Sequence, residues 1–311
     1  MPRVSEPPPL EPFAQMRFED LPERPRLAHP FFDLPEERVW VRSRHFGEIT
    51  LSVRRMGRGE PLVLVHGLMT SSYSFRYVLA PLAEHFEVIV FDLPGAGRSD
   101  APDVAYDAQS VADLIGETFD ALGLRAPRVV GNSMGGYLCM WLALRRPGAM
   151  GRLVNLHSPG LATPRMDALE LALRWLPGAL IVDRLVARDP ERWAFRNVHY
   201  YDETLKSREE AREYAAPLRT RAGRKAFTRY LGDTLKASTM RRFERALVER
   251  TFPIPLQLIY ARRDPMVPPS VGERLSQLVP SAPMTWLERG SHFAHVDAPD
   301  AFLAAVLPFL S

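Results

Sequence analysis

Val129-Val130-Gly131-Asn132-Ser133-Met134-Gly135-Gly136 is the stretch that decides the fold. An apolar run ends at Asn132, a serine follows, and after two glycines comes the helical Tyr137-Leu138-Cys139-Met140-Trp141-Leu142-Ala143-Leu144. G-x-S-x-G set between a strand and a helix holds its serine on a sharp, strained turn with the hydroxyl clear of the sheet. Gly131 and Gly135 lack Cβ atoms, so the chain can turn there and neighbouring backbones can approach. The motif alone describes an ordinary strand-to-helix turn equally well. Ser133 becomes a candidate nucleophile only if a base, an acid and an oxyanion site lie elsewhere in the right order.

Outward from the elbow, buried strands alternate with helices. Pro61-Leu62-Val63-Leu64-Val65, Val88-Ile89-Val90-Phe91, Arg128-Val129-Val130, Leu153-Val154-Asn155-Leu156, Leu256-Gln257-Leu258-Ile259-Tyr260 and Met284-Thr285-Trp286-Leu287 read as strands. Most are continuous apolar runs, as strands covered on both faces require. Helices are expected over 75–84, 108–122 and 270–279, with a last one running to about Leu307. Upstream, Val39-Trp40-Val41 and Ile49-Thr50-Leu51-Ser52-Val53 read as an antiparallel pair. The pattern predicts a mainly parallel sheet of eight strands with helices on both faces. In such sheets the chemistry lies at the carboxyl ends of the strands.

From about Leu161 to Thr251 the alternation stops and the chain turns helical, beginning at Leu169, Leu171, Leu173, Trp175, Leu176, Leu180 and Ile181. Residues 209–214, 225–231 and 240–248 read as further amphipathic helices. This segment is expected to be a helical insertion over the carboxyl edge. The division is therefore a proline-rich arm (1–38), a core (39–160 and 252–311) and a cap (161–251). In the arm, Pro2, Pro7, Pro8, Pro9 and Pro12 preclude regular structure. Phe13, Met16, Phe18, Phe31 and Phe32 suggest that it packs on the body or on a second subunit, which leaves a homo-oligomer open.

Composition excludes several classes. Hydrophobic content of 46% and charged content of 25% are those of a soluble globular protein. A net charge of +3 and no basic tract with interleaved aromatics argue against a nucleic-acid partner. Cys139 is the only cysteine, so no internal disulfide forms. No run is long enough to span a membrane, and no apolar leader opens the chain, so the expected location is cytoplasmic.

Ser133, Asp264 and His292 each follow a predicted strand, in the order serine, acid, histidine. That is one of the known triad orders. Serine needs a base during attack, and an imidazole titrates near neutrality. Asp264 would hold that imidazole in the right tautomer. His295 competes with His292, but a helix starting near it would turn it away. Asp92, Asp100 and Glu288 compete with Asp264. Asp92 sits in a glycine-rich turn that it is expected to fix, and Glu288 lies too near His292 in sequence. The oxyanion needs two donors. One is the amide of Met134, the other that of Leu68 or Met69 in the loop after Val65. His66 in that loop reads as a loop-fixing residue.

His66-Gly67, Asp92-Leu93-Pro94-Gly95-Ala96-Gly97-Arg98-Ser99, Gly131-Asn132-Ser133-Met134-Gly135-Gly136, Asp264 after its strand and Gly290-Ser291-His292 with Asp297 and Pro299 behind together resemble the α/β-hydrolase superfamily. The resemblance implies the α/β-hydrolase fold, with the insertion as its cap. Tyr200-Tyr201-Asp202 through Tyr214-Ala215-Ala216-Pro217 to Phe227 resembles caps of the epoxide hydrolase, dehalogenase and carbon–carbon hydrolase branches. The first two use aspartate at the elbow, against which Ser133 speaks. The elbow is similar to that of the meta-cleavage product hydrolases, but Leu68-Met69-Thr70-Ser71 departs from their Gly/Pro-rich loop. The expectation is a serine hydrolase of a small apolar acyl compound, a carboxylic ester first, needing no metal or organic cofactor. Trp175, Trp193, Phe195, Tyr200 and Tyr201 would supply part of the pocket. Carbon–carbon hydrolysis, cofactor-free perhydrolysis and a ligand receptor on the same fold are the alternatives.

Overall fold

Apolar runs become central strands here because each has a layer of side chains on both faces. The structure, a computed structural model, describes residues 11–162, 167 and 178–311. Among these residues eight strands form one sheet: β1 (Glu37–Ser43), β2 (Gly47–Met56), β3 (Pro61–Val65), β4 (Glu87–Phe91), β5 (Arg128–Asn132), β6 (Arg152–Leu156), β7 (Leu256–Ala261) and β8 (Met284–Leu287). The order across the sheet is β1-β2-β4-β3-β5-β6-β7-β8. β1 pairs antiparallel with β2, placing Trp40 opposite Thr50, and β2 is antiparallel to β4. From β4 to β8 every neighbouring pair is parallel.

The core helices are α1 (Leu79–Ala83), α2 (Ala108–Ala121) and α3 (Met134–Arg145). Between β6 and β7 lie α4 (Gly178–Arg188), α5 (Pro190–Asn197), α6 (Arg208–Ala215), α7 (Arg221–Arg229) and α8 (Ala237–Glu249). After β7 come α9 (Pro269–Leu278), α10 (Ala294–Asp297) and α11 (Pro299–Leu310). Alternate strand residues feed two cores. Val63, Ile89, Val129 and Leu258 pack with α2 and α3, while Leu64, Val90, Val130 and Ile259 pack with α1 and α11. Each such side chain, fully buried, contributes roughly 1.5–3 kcal/mol.

Two helices differ from the sequence reading. The helix expected over 75–84 is a 3₁₀ turn at Ser72–Phe75 followed by the short α1. Ser71 caps it by accepting Tyr73 N, and the bonds run i to i+3, from Ser74 N to Ser71 O and from Val78 N to Phe75 O. The last helix is split in two. Ala298 (φ −143°, ψ 51°) leaves the helical region because it precedes Pro299. The insertion's expected start at Leu169, Leu171, Leu173, Trp175 and Leu176 lies outside the described residues, as do Pro2, Pro7, Pro8 and Pro9.

A buried ion pair joins the insertion to the core. Arg76, after the 3₁₀ turn, and Glu210 on α6 meet at 2.5 Å, both almost wholly buried. Tyr200 donates to the same carboxylate at 2.8 Å, and the rings of Tyr73 and Tyr77 flank the guanidinium at 4.5 and 4.4 Å. Removing one partner strands a charge in low dielectric, which costs about 3–5 kcal/mol, whereas replacing both with apolar groups is often neutral. Glu210→Ala is therefore expected to lower the unfolding free energy by about that amount, and Arg76→Met with Glu210→Leu by much less. Urea titrations of both variants check this; equal losses would contradict it.

The arm packs on its own chain. Phe18 stacks beside Phe195 at 5.5 Å, under the guanidinium groups of Arg192 and Arg208. The carbonyls of Pro22 and Glu23 accept the first free amides of α6, Arg208 N at 2.8 Å and Glu209 N at 3.1 Å. Phe31 then enters the core beside Tyr73, and Arg54 donates to Leu34 O. The arm thus bridges the insertion and the sheet.

Candidate active site

The elbow is built by close approach. A Cβ on Gly131 would fall 2.6 Å from Gly136 Cα, so β5 can enter α3 directly only with glycine there. Ser133 takes φ 53° and ψ −121°, outside the regions side chains normally adopt. Such strain costs about 1–3 kcal/mol and gathers at functional sites. Ser133 N donates to Leu156 O at 2.7 Å, which ties the turn to β6. Ser133 is half-buried. Among the described residues its hydroxyl makes no hydrogen bond.

The loop after β3 runs beside the elbow. A Cβ on Gly67 would lie 2.9 Å from Ser133 Cβ. Met69 in that loop also has a positive φ, 66°. Met134 opens α3, so its amide has no partner within the helix. His66 is fully engaged: its Nδ1 lies 2.8 Å from Gly67 O, and its Nε2 accepts Leu93 N at 2.9 Å.

Asp264 and His292 meet across the loops after β7 and β8. His292 Nδ1 and Asp264 Oδ2 are 2.7 Å apart, with both residues buried. The other carboxylate oxygen accepts Met266 N at 2.7 Å and Val267 N at 2.9 Å. Burial alone would push the Asp264 carboxyl up, but His292 first, with His157 and the Val267 amide, outweighs it and holds it below the usual range. Asn132, next to Ser133, donates to His292 O at 3.0 Å. The structure thus brings Asp264 and His292 into contact and sets Ser133 on the same edge, without a hydrogen bond from Ser133 to His292.

The competitors stand elsewhere. The His295 ring is buried against Phe75, 4.7 Å between centroids. Asp92 accepts Ser72 N at 2.8 Å and Arg98 N at 2.9 Å and so fixes its loop. Asp100 accepts Thr50 N at 2.8 Å. Glu288 is exposed and 3.7 Å from Arg262. Among the described residues no three His, Cys, Asp or Glu side chains gather as metal ligands, and no helix is long and apolar enough to cross a membrane.

Two neighbours of the pair were given no role by the sequence reading, which named Asp297 only as part of the motif behind His292. His157 follows β6 in a left-handed conformation (φ 55°), its ring centroid 5.7 Å from that of His292. Its Nε2 accepts Ala261 N at 2.7 Å, and burial pushes the imidazole down to about 3, so it stays neutral. Its place at a strand end was the available signal. Asp297 accepts Tyr201 N at 2.6 Å and Ser291 N at 3.2 Å, linking the insertion to the His292 loop. Burial, opposed by these bonds, pushes its carboxyl up to about 6. An unfolded aspartate titrates near about 3.9. Between those values the unfolded chain has released the proton that the folded chain keeps, so stability falls as pH rises through the window. Against Asp297→Asn, which does not titrate, the wild type should lose about 1–2 kcal/mol between about pH 4.5 and 7.5. The lower part of that range allows for partial exposure. Denaturant titrations at both pH values test it, and a constant difference would refute it.

A cavity of ≈ 30 Å³ lies between Leu68, Met69 and Met134 on the sheet side and Leu218, Phe227 and Tyr230 on the insertion side.

A family model described as alpha/beta hydrolase fold matches residues 60–299. The chain is 28% identical, over 85% of its length and 94% of the relative's, to 2-hydroxy-6-oxo-2,4-heptadienoate hydrolase of Pseudomonas putida. Among solved structures it resembles a thermophilic esterase from Thermogutta terrifontis (TM-score 0.68, 19% identity, 88% of this chain and 98% of that one). It also resembles the epoxide hydrolase CorEH (TM-score 0.76, 21% identity, 89% and 98%). At such identities the two structures speak for the fold alone.

Proposed function

Because the chain belongs to the alpha/beta hydrolase fold family, we propose that it is a serine hydrolase of a small, largely apolar acyl compound, a carboxylic ester first. The observation that carries this reading is the buried 2.7 Å contact of Asp264 with His292 on the edge that also bears the strained Ser133. Residues 39–160 and 252–311 act as the catalytic core, 161–251 as the cap, and 1–38 as an arm that braces it. Ser133 Oγ attacks the carbonyl while His292 Nε2 takes its proton. The amide of Met134 and that of Leu68 or Met69 stabilise the oxyanion, with the positive end of α3 behind it. His292 then protonates the leaving alkoxide. Water, deprotonated by the same imidazole, releases the acid and frees Ser133. The Ser133–His292 contact closes on substrate binding, as such contacts often do.

Cleavage of a carbon–carbon bond in a vinylogous diketone is the second reading, favoured by the Pseudomonas putida relative. Turnover of p-nitrophenyl esters of graded acyl length, beside a 2-hydroxy-6-oxo-dienoate, separates the two. Ester turnover without diketone cleavage supports the first reading; the reverse replaces it with the second.

A further inference from the structure

Among the described residues the cavity beside Met134 is apolar apart from four side chains, and three of these have a hydrogen-bond partner. His66 uses both ring nitrogens within its own loop. Thr70 donates to Gly67 O at 3.1 Å. The Tyr214 hydroxyl accepts from Arg76 at 3.5 Å. Tyr230 is the exception: the residue is 3% exposed, lines the cavity, and its hydroxyl has no hydrogen-bond partner among the described residues. Leaving a buried hydroxyl unpaired costs about 1–3 kcal/mol.

The local backbone adds a second observation. Tyr230 opens a π-helical turn, Tyr230–Thr234, directly after α7. Such turns are rare and recur at functional sites. The other polar side chains of the turn are engaged, Asp233 by Tyr106 N at 3.1 Å and Thr234 by Tyr106 O. The turn therefore anchors itself on Tyr106 and leaves one donor over, on a residue that lines the cavity with Leu68, Met69 and Met134. Burial pushes the Tyr230 phenol well up, so it is present as a neutral donor.

We propose that Tyr230 determines acyl specificity, its hydroxyl donating to an ether, hydroxyl or keto oxygen on the acyl part of the substrate. This rests on the reading of Ser133 as nucleophile, since that reading makes the cavity beside Met134 the acyl site. The volume sets the size. A water needs about 10–15 Å³ by this measure, so ≈ 30 Å³ admits only a few heavy atoms. The preferred substrate is an ester of a short oxygen-bearing acid, such as an alkoxyacetate or a hydroxy or oxo acid, over its hydrocarbon counterpart. A site with a buried unpaired donor rejects the analogue that lacks the acceptor, because the donor then stays unpaired.

The test compares p-nitrophenyl methoxyacetate with p-nitrophenyl butyrate, whose acyl groups match in length and differ by one oxygen for one methylene. The readout is the ratio of their kcat/KM values, in the wild type and in Tyr230→Phe. Intrinsic reactivity of the esters cancels between the two proteins, as does any general loss from the substitution. Losing one hydrogen bond corresponds to about a tenfold fall in the ratio. A ratio within twofold of the wild type's overturns the assignment. Binding of the same two intact esters to Ser133→Ala, with and without Tyr230→Phe, is followed by tryptophan fluorescence. If the wild type cleaves neither ester, the ester reading fails and the ratio of dissociation constants decides on Tyr230. A tenfold loss of preference upholds the assignment; an unchanged preference removes it.

Discussion

Ser133→Ala is expected to lower kcat by about 10⁴–10⁶-fold while leaving the protein as stable as before. The size follows from the work asked of one atom: without Oγ there is no acyl-enzyme, and only binding and the oxyanion donors remain. The unchanged stability follows from the local structure. The Ser133 hydroxyl makes no hydrogen bond among the described residues, so alanine leaves no partner unpaired. Alanine also keeps the Cβ, so it occupies φ 53° with the strain serine already bears. A surface-like change of this kind stays within about 0.5 kcal/mol. Loss of activity without loss of stability then isolates chemistry from folding. A serine-directed phosphonate should label the wild type at Ser133 and leave the variant unlabelled. A variant that retains a tenth of the activity would end the nucleophile assignment, whatever the substrate.

Strands were legible in the sequence because burial on both faces removes polar residues. Leu62-Val63-Leu64-Val65 feeds two cores by turns, so neither face can be polar. The elbow was legible because its geometry demands glycine where β5 meets α3, which flags the residue held at the strained point between them. What was hidden depends on partners far along the chain. Arg76 and Glu210 are 134 residues apart, and nothing near either one announces a buried pair. The apolar spacing of Phe75, Val78, Leu79 and Leu82 matches a helix, yet bonds to Ser71 and Phe75 wind the first turn as 3₁₀. Proline content marked the arm as irregular but could not say that Pro22 and Glu23 would cap α6. For the site, strand ends pointed to Ser133, Asp264 and His292 but passed over His157 on the same edge. That the Tyr230 hydroxyl has no partner among the described residues shows only in three dimensions.

The branches sharing this frame differ in the bond they cut, and the frame does not choose among them. An esterase and an epoxide hydrolase superpose on the chain with similar coverage. On the proposed reading Ser133 would separate it from aspartate nucleophiles at the level of chemistry, since a carboxylate would form an alkyl ester and a serine an acyl one. On the same reading the choice of acyl group would fall to the cavity that Met134 shares with Leu218, Phe227 and Tyr230.

Asp264→Asn should cost about 10⁴-fold in kcat with the fold intact, and more than Asp264→Ala. Asp264 Oδ1 accepts two amides, Met266 N and Val267 N, while Oδ2 faces His292 Nδ1 at 2.7 Å. An asparagine has one oxygen and one NH₂ to place. Two backbone donors at 2.7 and 2.9 Å claim the oxygen, so the NH₂ must face His292. It can only donate, and His292 Nδ1 must then accept. The proton of the neutral imidazole moves to Nε2, the nitrogen that has to take the proton of Ser133. The wrong tautomer is thus imposed by the loop after β7. A loss of about 10⁴ is what such tautomer reversal costs a serine triad. Alanine imposes no tautomer; it leaves His292 free to present either nitrogen, and removes the orienting charge together with the acceptor of Met266 N and Val267 N. The order of the two losses is therefore diagnostic. Steady-state kcat for both variants, with circular dichroism to confirm folding, reads it out. Asparagine as active as aspartate would mean that Asp264 orients the loop rather than the base.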